Sequence, residues 1–221
     1  MRILVVDDKD IHRQSAYETL SGHEITVVSS FDEAMEHLRD KEKYDAVLSD
    51  MRMPMSRKTL SEAAYRRGEL VDYGFVVALR AALCGAKYIA VVTDVNHHQG
   101  AMSAALDYIE APHYKGTLYP NFIINGATCM FVHAPFVRIM HKETCPQCDD
   151  ASGICRFCHG TGIRDDKSCN ACEDNLGKCY RCKGTGKADK IEYTDRKDWG
   201  HVLKDLIAPK IPNDEIPAYT E

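Results

Sequence analysis

Eight of the ten cysteines in this chain fall into two consecutive copies of one motif. The first copy places Cys145, Cys148, Cys155 and Cys158 ahead of His159-Gly160-Thr161-Gly162, and the second places Cys169, Cys172, Cys179 and Cys182 ahead of Lys183-Gly184-Thr185-Gly186. Every cysteine of the first copy recurs 24 positions later. A Cys-x-x-Cys turn presents two thiolates on one side of a tight knuckle, and Zn²⁺ takes four such soft ligands in a tetrahedron, so four knuckles supply two Cys₄ sites. With sulfur in all four positions no coordination place is left for water, and the metal is structural rather than catalytic. The chain opens Met1-Arg2 and runs straight into a strand-like segment with no apolar leader. That start predicts a reducing, cytoplasmic setting, where metal binding is favoured over disulfides.

The glycines at 160, 162, 184 and 186 allow positive backbone torsions with which main-chain N–H groups fold back toward the thiolates. This Cys-x-x-Cys-x-Gly-x-Gly pattern resembles the cysteine-rich zinc domain of J-domain cochaperones. The resemblance covers residues 145–186, and the first and third knuckles lack the glycines after Cys148 and Cys172. It implies that the outer knuckles, Cys145, Cys148, Cys179 and Cys182, share one Zn²⁺, and that the inner ones, Cys155, Cys158, Cys169 and Cys172, share the second. Spacing alone leaves pairing within each copy open. The His-Pro-Asp signature of a J domain is absent, so stimulation of a chaperone ATPase is not implied.

The other end of the chain alternates apolar strand-like runs with helical stretches. Ile3-Leu4-Val5-Val6 ends at Asp7-Asp8, Tyr44–Ser49 ends at Asp50, and Tyr88–Val92 ends at Thr93. Helices are predicted near 11–21, 31–41 and 73–85, with a further strand near 24–29 and another ending near His133. Such alternation predicts an α/β fold, a doubly wound five-stranded parallel sheet, with functional residues gathered at the C-terminal strand ends. Asp7, Asp8, Asp50 and Thr93 all fall there. Converging carboxylates need a counter-charge, and a hard cation with oxygen ligands, Mg²⁺, suits them.

The runs Ile3–Asp8, Leu48-Ser49-Asp50-Met51-Arg52-Met53-Pro54 and Val91-Val92-Thr93 resemble the receiver domain of two-component response regulators. The resemblance implies that Asp7, Asp8 and Asp50 bind Mg²⁺, that Asp50 accepts a phosphoryl group from a histidine kinase, and that Thr93 senses it. Receivers also carry a lysine just before a proline after the fifth strand. Here the corresponding residues are Ala134-Pro135, with His133 as a weaker substitute and Lys115 outside any strand signal. The lysine is therefore expected to be missing.

Residues 55–72, with Arg57, Lys58, Arg66 and Arg67, lengthen the usual link after Pro54 and read as a surface insertion, lid or docking loop. His97 and His98 follow Thr93, but adjacent side chains diverge, which disfavours a second metal. After the cysteines, Trp199, Val202, Leu203, Leu206 and Ile207 form the apolar stripe of a helix over 195–207. This stripe predicts that the zinc module is inserted before the last helix of the receiver-like fold. The expected organisation is a receiver-like domain over 1–141, the two-zinc module over 142–190, a returning helix over 191–209 and a flexible tail over 210–221.

Composition bounds the partners. The chain carries 28 basic and 33 acidic residues, and the two Cys₄ sites leave the 142–190 segment net negative, so a nucleic-acid face is not expected. No apolar run approaches membrane length. The preferred expectation from sequence is a regulatory or adaptor protein rather than an enzyme, a receiver-like platform presenting a zinc module to a protein partner. The alternative is a phosphorylatable response regulator with Asp50 as acceptor and the zinc module as output.

Overall fold

The computed structural model describes residues 1–40, 43–58, 60–94, 122–148, 152–173 and 177–208. Its contacts divide the chain into two units, one built from Met1–Val137 and the chain from Asp195 on, the other from Arg138–Thr194.

The first unit runs β1 (Arg2–Val6), α1 (Asp10–Thr19), β2 (Glu24–Val28), α2 (Phe31–His37), β3 (Ala46–Asp50), β4 (Met53–Pro54), β5 (Leu70–Val71), α3 (Gly74–Leu83), β6 (Tyr88–Thr93), β7 (Phe122–Ile124) and β8 (Ala127–His133). The central sheet has the order β2-β1-β3-β6-β8-β7. Its first five strands are parallel, in the doubly wound order shared by flavodoxin-like folds. Residues alternate between the two faces. Leu4, Val6, Val47, Ile89, Val91 and Phe131 pack with α2 and α3 on one side. Ile3, Val5, Leu48, Ala90, Val92 and Val132 pack on the other with residues of α1 and of a helix beyond the cysteines. Burial on both faces explains why these strands read as continuous apolar runs.

Five strands were expected and the sheet has six. The extra edge strand, β7, pairs antiparallel with β8 through Ile124↔Ala127. Asn125 and Gly126, at φ 48° and 81°, form the two-residue connection. That pair is the sequence signal for a tight hairpin, because both positions need left-handed backbone.

The second stretch of the first unit carries α4 (Trp199–Ile207). Asp198 caps it, its carboxylate accepting from the His201 N–H at 2.9 Å. Trp199, Val202, Leu203 and Leu206 are buried against β1, β6 and β8 residues, contributing roughly 1.5–3 kcal/mol for each large side chain. Ile207, counted in the predicted stripe, is exposed. The helix starts at 199 and not at 195, because residues 195–197 close a long strand. A Cβ on Gly200 would lie 2.3 Å from the Thr19 carbonyl oxygen. Gly200→Ala is therefore expected to destabilise the unit by about 1–3 kcal/mol, despite a helix-propensity gain near 1 kcal/mol. A urea midpoint equal to or above the wild-type value would refute this close approach.

In the stretch 136–197 the elements are β9 (Phe136–Thr144), β10 (Ile163–Arg164), β11 (Lys167–Ser168), β12 (Cys172–Glu173), β13 (Lys178–Cys179) and β14 (Lys187–Lys197). β9 pairs with β14, while β10–β11 and β12–β13 are antiparallel pairs of two-residue strands. The cysteine repeat folds back on itself with reciprocal contacts. Gly153 has φ 81°, and a Cβ there would sit 2.1 Å from the Gly184 oxygen; Gly177, 24 residues later, has φ 75° and would meet the Gly160 oxygen at 2.0 Å. Each copy thus uses a side-chain-free position to reach the glycine turn of the other.

Among the described residues, no helix is long and apolar enough to cross a membrane.

Candidate functional site

Asp7 and Asp8 follow β1, Asp50 ends β3 and Thr93 ends β6, so the parallel register brings three acids and a threonine to one sheet edge. The carboxylate oxygens of Asp7, Asp8 and Asp50 lie within 4.8 Å of one another. Thr93 is buried, in register with His133, and its carbonyl accepts from the Ala134 N–H at 2.7 Å.

The expectation that no lysine reaches this pocket is corrected by the structure. Ala134 does occupy the strand-end position, but Lys197, the last residue of β14 and C-terminal in sequence to the cysteines, enters the pocket. Its Nζ lies 2.7 Å from Asp7 Oδ2 and 2.7 Å from Asp50 Oδ1, and 3.4 Å from the Val92 carbonyl oxygen. Lys197 is 0% exposed. The Asp198 N–H donates to the Pro135 carbonyl at 2.5 Å, so the chain departs and returns at one point, with the proline on one side and the lysine on the other. Sequence reasoning missed Lys197 because it searched before Pro135 and assigned 195–197 to a helix. The available signal was Asp198, a capping residue directly ahead of the apolar stripe.

Burial governs the electrostatics of the pocket. It pushes the Asp50 carboxyl up to about 6 against the pull of the Lys197 ammonium, and the Asp7 carboxylate adds to the rise. Burial, followed by Asp7, also raises Asp8. For Lys197 burial disfavours the ammonium, yet Asp50 and Asp7 outweigh it and hold the pKa above the ordinary lysine value. Three carboxylates against one ammonium leave a negative excess of hard oxygen donors, which fits a divalent cation such as Mg²⁺.

None of the ten cysteines is in a disulfide, and eight of them form two groups whose sulfurs lie within 4.8 Å of one another: Cys145, Cys148, Cys179 and Cys182, and Cys155, Cys158, Cys169 and Cys172. The structure thus brings outer knuckles together with outer and inner with inner. Sulfur separations are 3.7 Å for Cys145–Cys179, 3.4 Å for Cys148–Cys182, 3.9 Å for Cys155–Cys169 and 3.3 Å for Cys158–Cys172. A tetrahedron with Zn–S bonds near 2.3 Å requires about 3.8 Å between sulfurs. The groups therefore fit Zn²⁺.

Burial pushes the Cys148 and Cys172 thiols up. Burial also acts on Cys158 and Cys182, but hydrogen bonds outweigh it and bring both down to about 7. For Cys158 these come from Cys172 and the Gly162 and Gly160 backbone N–H groups. For Cys182 they come from Cys148, Gly186 and Gly184. The motif glycines thus direct main-chain donors at one thiolate of each site.

The 55–72 segment is pinched by the antiparallel pair Met53↔Val71 and Pro54↔Leu70. It is tied to α2, where the Ser56 hydroxyl donates to Asp32 at 2.7 Å and Lys58 pairs with Glu36 at 2.6 Å. These bonds anchor its first residues to α2. His97, His98, Lys115 and the tail 210–221 lie outside the described residues.

No family model matches the chain, and no curated protein matches it. Solved structures similar to it include two receiver-type proteins. One is the N-terminal domain of a response regulator/sensory box/GGDEF 3-domain protein from Carboxydothermus hydrogenoformans, at 15% identity and TM-score 0.34 over 60% of this chain and 81% of that one. The other is a response regulator receiver domain protein from Clostridium thermocellum, at 18% identity and TM-score 0.35 over 62% of this chain and 83% of that one.

Proposed function

We propose that this chain is a regulatory receiver-like protein that accepts a phosphoryl group on Asp50 and carries a two-zinc module. The observation that supports this most is Lys197, whose ammonium lies 2.7 Å from both Asp7 and Asp50. From sequence alone, Ala134 favoured an adaptor that is not phosphorylated, and Lys197 removes that ground. Asp7, Asp8 and Asp50 would hold Mg²⁺, which when bound neutralises phosphoryl oxygens. An ionised Asp50 oxygen attacks phosphorus of the donor, the bond from phosphorus to the donor's leaving group breaks, and an acyl phosphate forms. The Lys197 ammonium would pair with the new phosphoryl oxygens, and Thr93, one residue beyond the Val92 that lies in register with Asp50, would respond to them. A histidine kinase is the proposed physiological donor.

The cysteine-rich unit supports the adaptor role as output. Phe157, Ile163 and Tyr180 are exposed there although the metal groups are buried, and they are the side chains a protein partner would meet.

Acetyl phosphate with Mg²⁺ tests the acceptor reading. Stoichiometric labelling that Asp50→Asn abolishes is expected, with acetate released for each phosphoryl group gained. An unlabelled wild type that nonetheless binds Mg²⁺ would return the chain to the adaptor reading.

A further inference from the structure

Lys197 reaches the acidic pocket without being part of the central sheet. It is the terminal residue of β14, so something other than the parallel ladder must fix its main chain. Helix α1 does so on both sides of the residue. The Lys197 N–H donates to His12 Nδ1 at 3.3 Å, and the Lys197 carbonyl accepts from the Ser15 hydroxyl at 2.7 Å. The next contact along the chain repeats the pattern, with the Trp199 indole N–H donating to the His12 carbonyl at 2.9 Å.

His12 is 1% exposed, and both of its ring nitrogens are engaged. A main-chain N–H can only donate, so Nδ1 is an acceptor and the ring proton belongs on Nε2. Nε2 lies 3.3 Å from Asp94 Oδ2, where that proton meets a carboxylate. The bond to His12 is the main influence holding the Asp94 carboxyl well below the usual carboxylate range, and Lys9 pairs with the same oxygen. Asp94 directly follows Thr93. One buried imidazole therefore joins the main chain of the pocket lysine to the residue after the threonine at the end of β6.

We propose that His12 is a positioning residue for phosphoryl transfer at Asp50, holding the Lys197 main chain through Nδ1 and itself oriented by Asp94 through Nε2. This rests on the phosphoacceptor reading of Asp50. The role is separable from Mg²⁺ binding, because His12 hydrogen-bonds none of the three acids among the described contacts, and it is separable from mere packing, because two isosteric amides split its two bonds. An asparagine oxygen reaches about where Nδ1 stands and keeps an acceptor for the Lys197 N–H. A glutamine amide reaches about where Nε2 stands and keeps a donor for Asp94 while losing that acceptor.

The test compares wild type, His12→Gln and His12→Asn in full-length, zinc-loaded protein. In His12→Gln the maximal rate of acetyl phosphate labelling should fall at least tenfold, a loss in the range that misplacement by an ångström produces. The Mg²⁺ affinity and the half-saturating acetyl phosphate concentration should stay within about threefold. His12→Asn, which keeps the acceptor for the Lys197 N–H but gives up the bond to Asp94, should lose clearly less than His12→Gln. Equal rates in all three proteins would overturn the proposal, as would a loss shared equally by the two amides. Nitrogen-15 NMR of the wild-type histidines provides a measurement that needs no variant to fold. It should place the His12 proton on Nε2, and a proton on Nδ1 would overturn the proposal.

A wild type that takes no label would sink the acceptor reading alone. The positioning role would then be judged by stability, comparing Lys197→Met in the wild-type and His12→Gln backgrounds. A smaller urea-midpoint shift in the His12→Gln background supports it, and equal shifts overturn it.

Discussion

Lys197→Met is expected to cost the α/β unit about 3–5 kcal/mol at pH 8 without Mg²⁺, because removing one member of a buried ion pair strands the other charge. The side chain is fully buried, and methionine keeps its bulk while removing the ammonium, so the loss reports charge rather than a cavity. Asp7, Asp8 and Asp50 would then face one another with no cation among them. The pH dependence follows from Asp50, whose folded pKa is already raised to about 6. A carboxyl raised on folding contributes stability below its unfolded value, and that contribution is lost as pH rises through the folded value. Without Lys197 the folded value rises further, so the gap between variant and wild type should narrow as pH falls from 8 toward 5. Mg²⁺ should restore part of the loss at pH 8, since a dication bound only by the folded state stabilises it by mass action. Asp50→Asn in the same background should do so without metal. Urea denaturation followed through Trp199, the single tryptophan, measures all four effects. A variant as stable as wild type at pH 8 without Mg²⁺ would mean that Lys197 is not the counter-charge of the pocket.

The contrast between Asp50 and Lys197 shows what was legible in the sequence. Asp50 ends an apolar run, and the parallel alternation of such runs carries their ends to one sheet edge; local pattern was enough to find the three acids. Lys197 lies 147 residues from Asp50 and belongs to no run of its own. Its place depends on where the long excursion after Pro135 closes, which a hydrogen bond from Asp198 decides. Residue spacing carries no trace of that closure. The α4 stripe was legible because burial selects apolar residues at helical intervals, and Asp198 directly ahead of it marked the strand-to-helix boundary that a helix begun at 195 passes over. The β7–β8 hairpin failed for a different reason. Asn125-Gly126 announced it, while the expectation of a purely parallel sheet left no room for an antiparallel edge. His12 could not have been singled out, since nothing in its neighbours along the chain distinguishes it from any histidine on a helix.

The cysteine-rich unit offers the larger effect, because metal binding is its folding free energy. Purified, reduced protein should hold two Zn²⁺ per chain. Chelation should unfold residues 138–194, where the described buried residues are mainly cysteines with Ala171 and Ala188. Structural zinc sites of this kind contribute on the order of 10 kcal/mol, more than so small a core can replace. The emission of Trp199, buried among β1, β6 and β8 residues of the other unit, should survive the loss. Paired substitutions then separate the two possible groupings of the knuckles. Cys145 and Cys179 share a group in the structure, so Cys145→Ser with Cys179→Ser should abolish one site and leave the other, giving one Zn²⁺ per chain. Cys145→Ser with Cys155→Ser removes one sulfur from each group and should weaken both sites together. Pairing within each copy makes the opposite forecast for the two double variants. Metal analysis that finds one intact site in the 145/155 variant and two weakened ones in the 145/179 variant would therefore overturn the outer-with-outer arrangement. Protein that holds one zinc or none before any substitution would remove the two-site reading altogether.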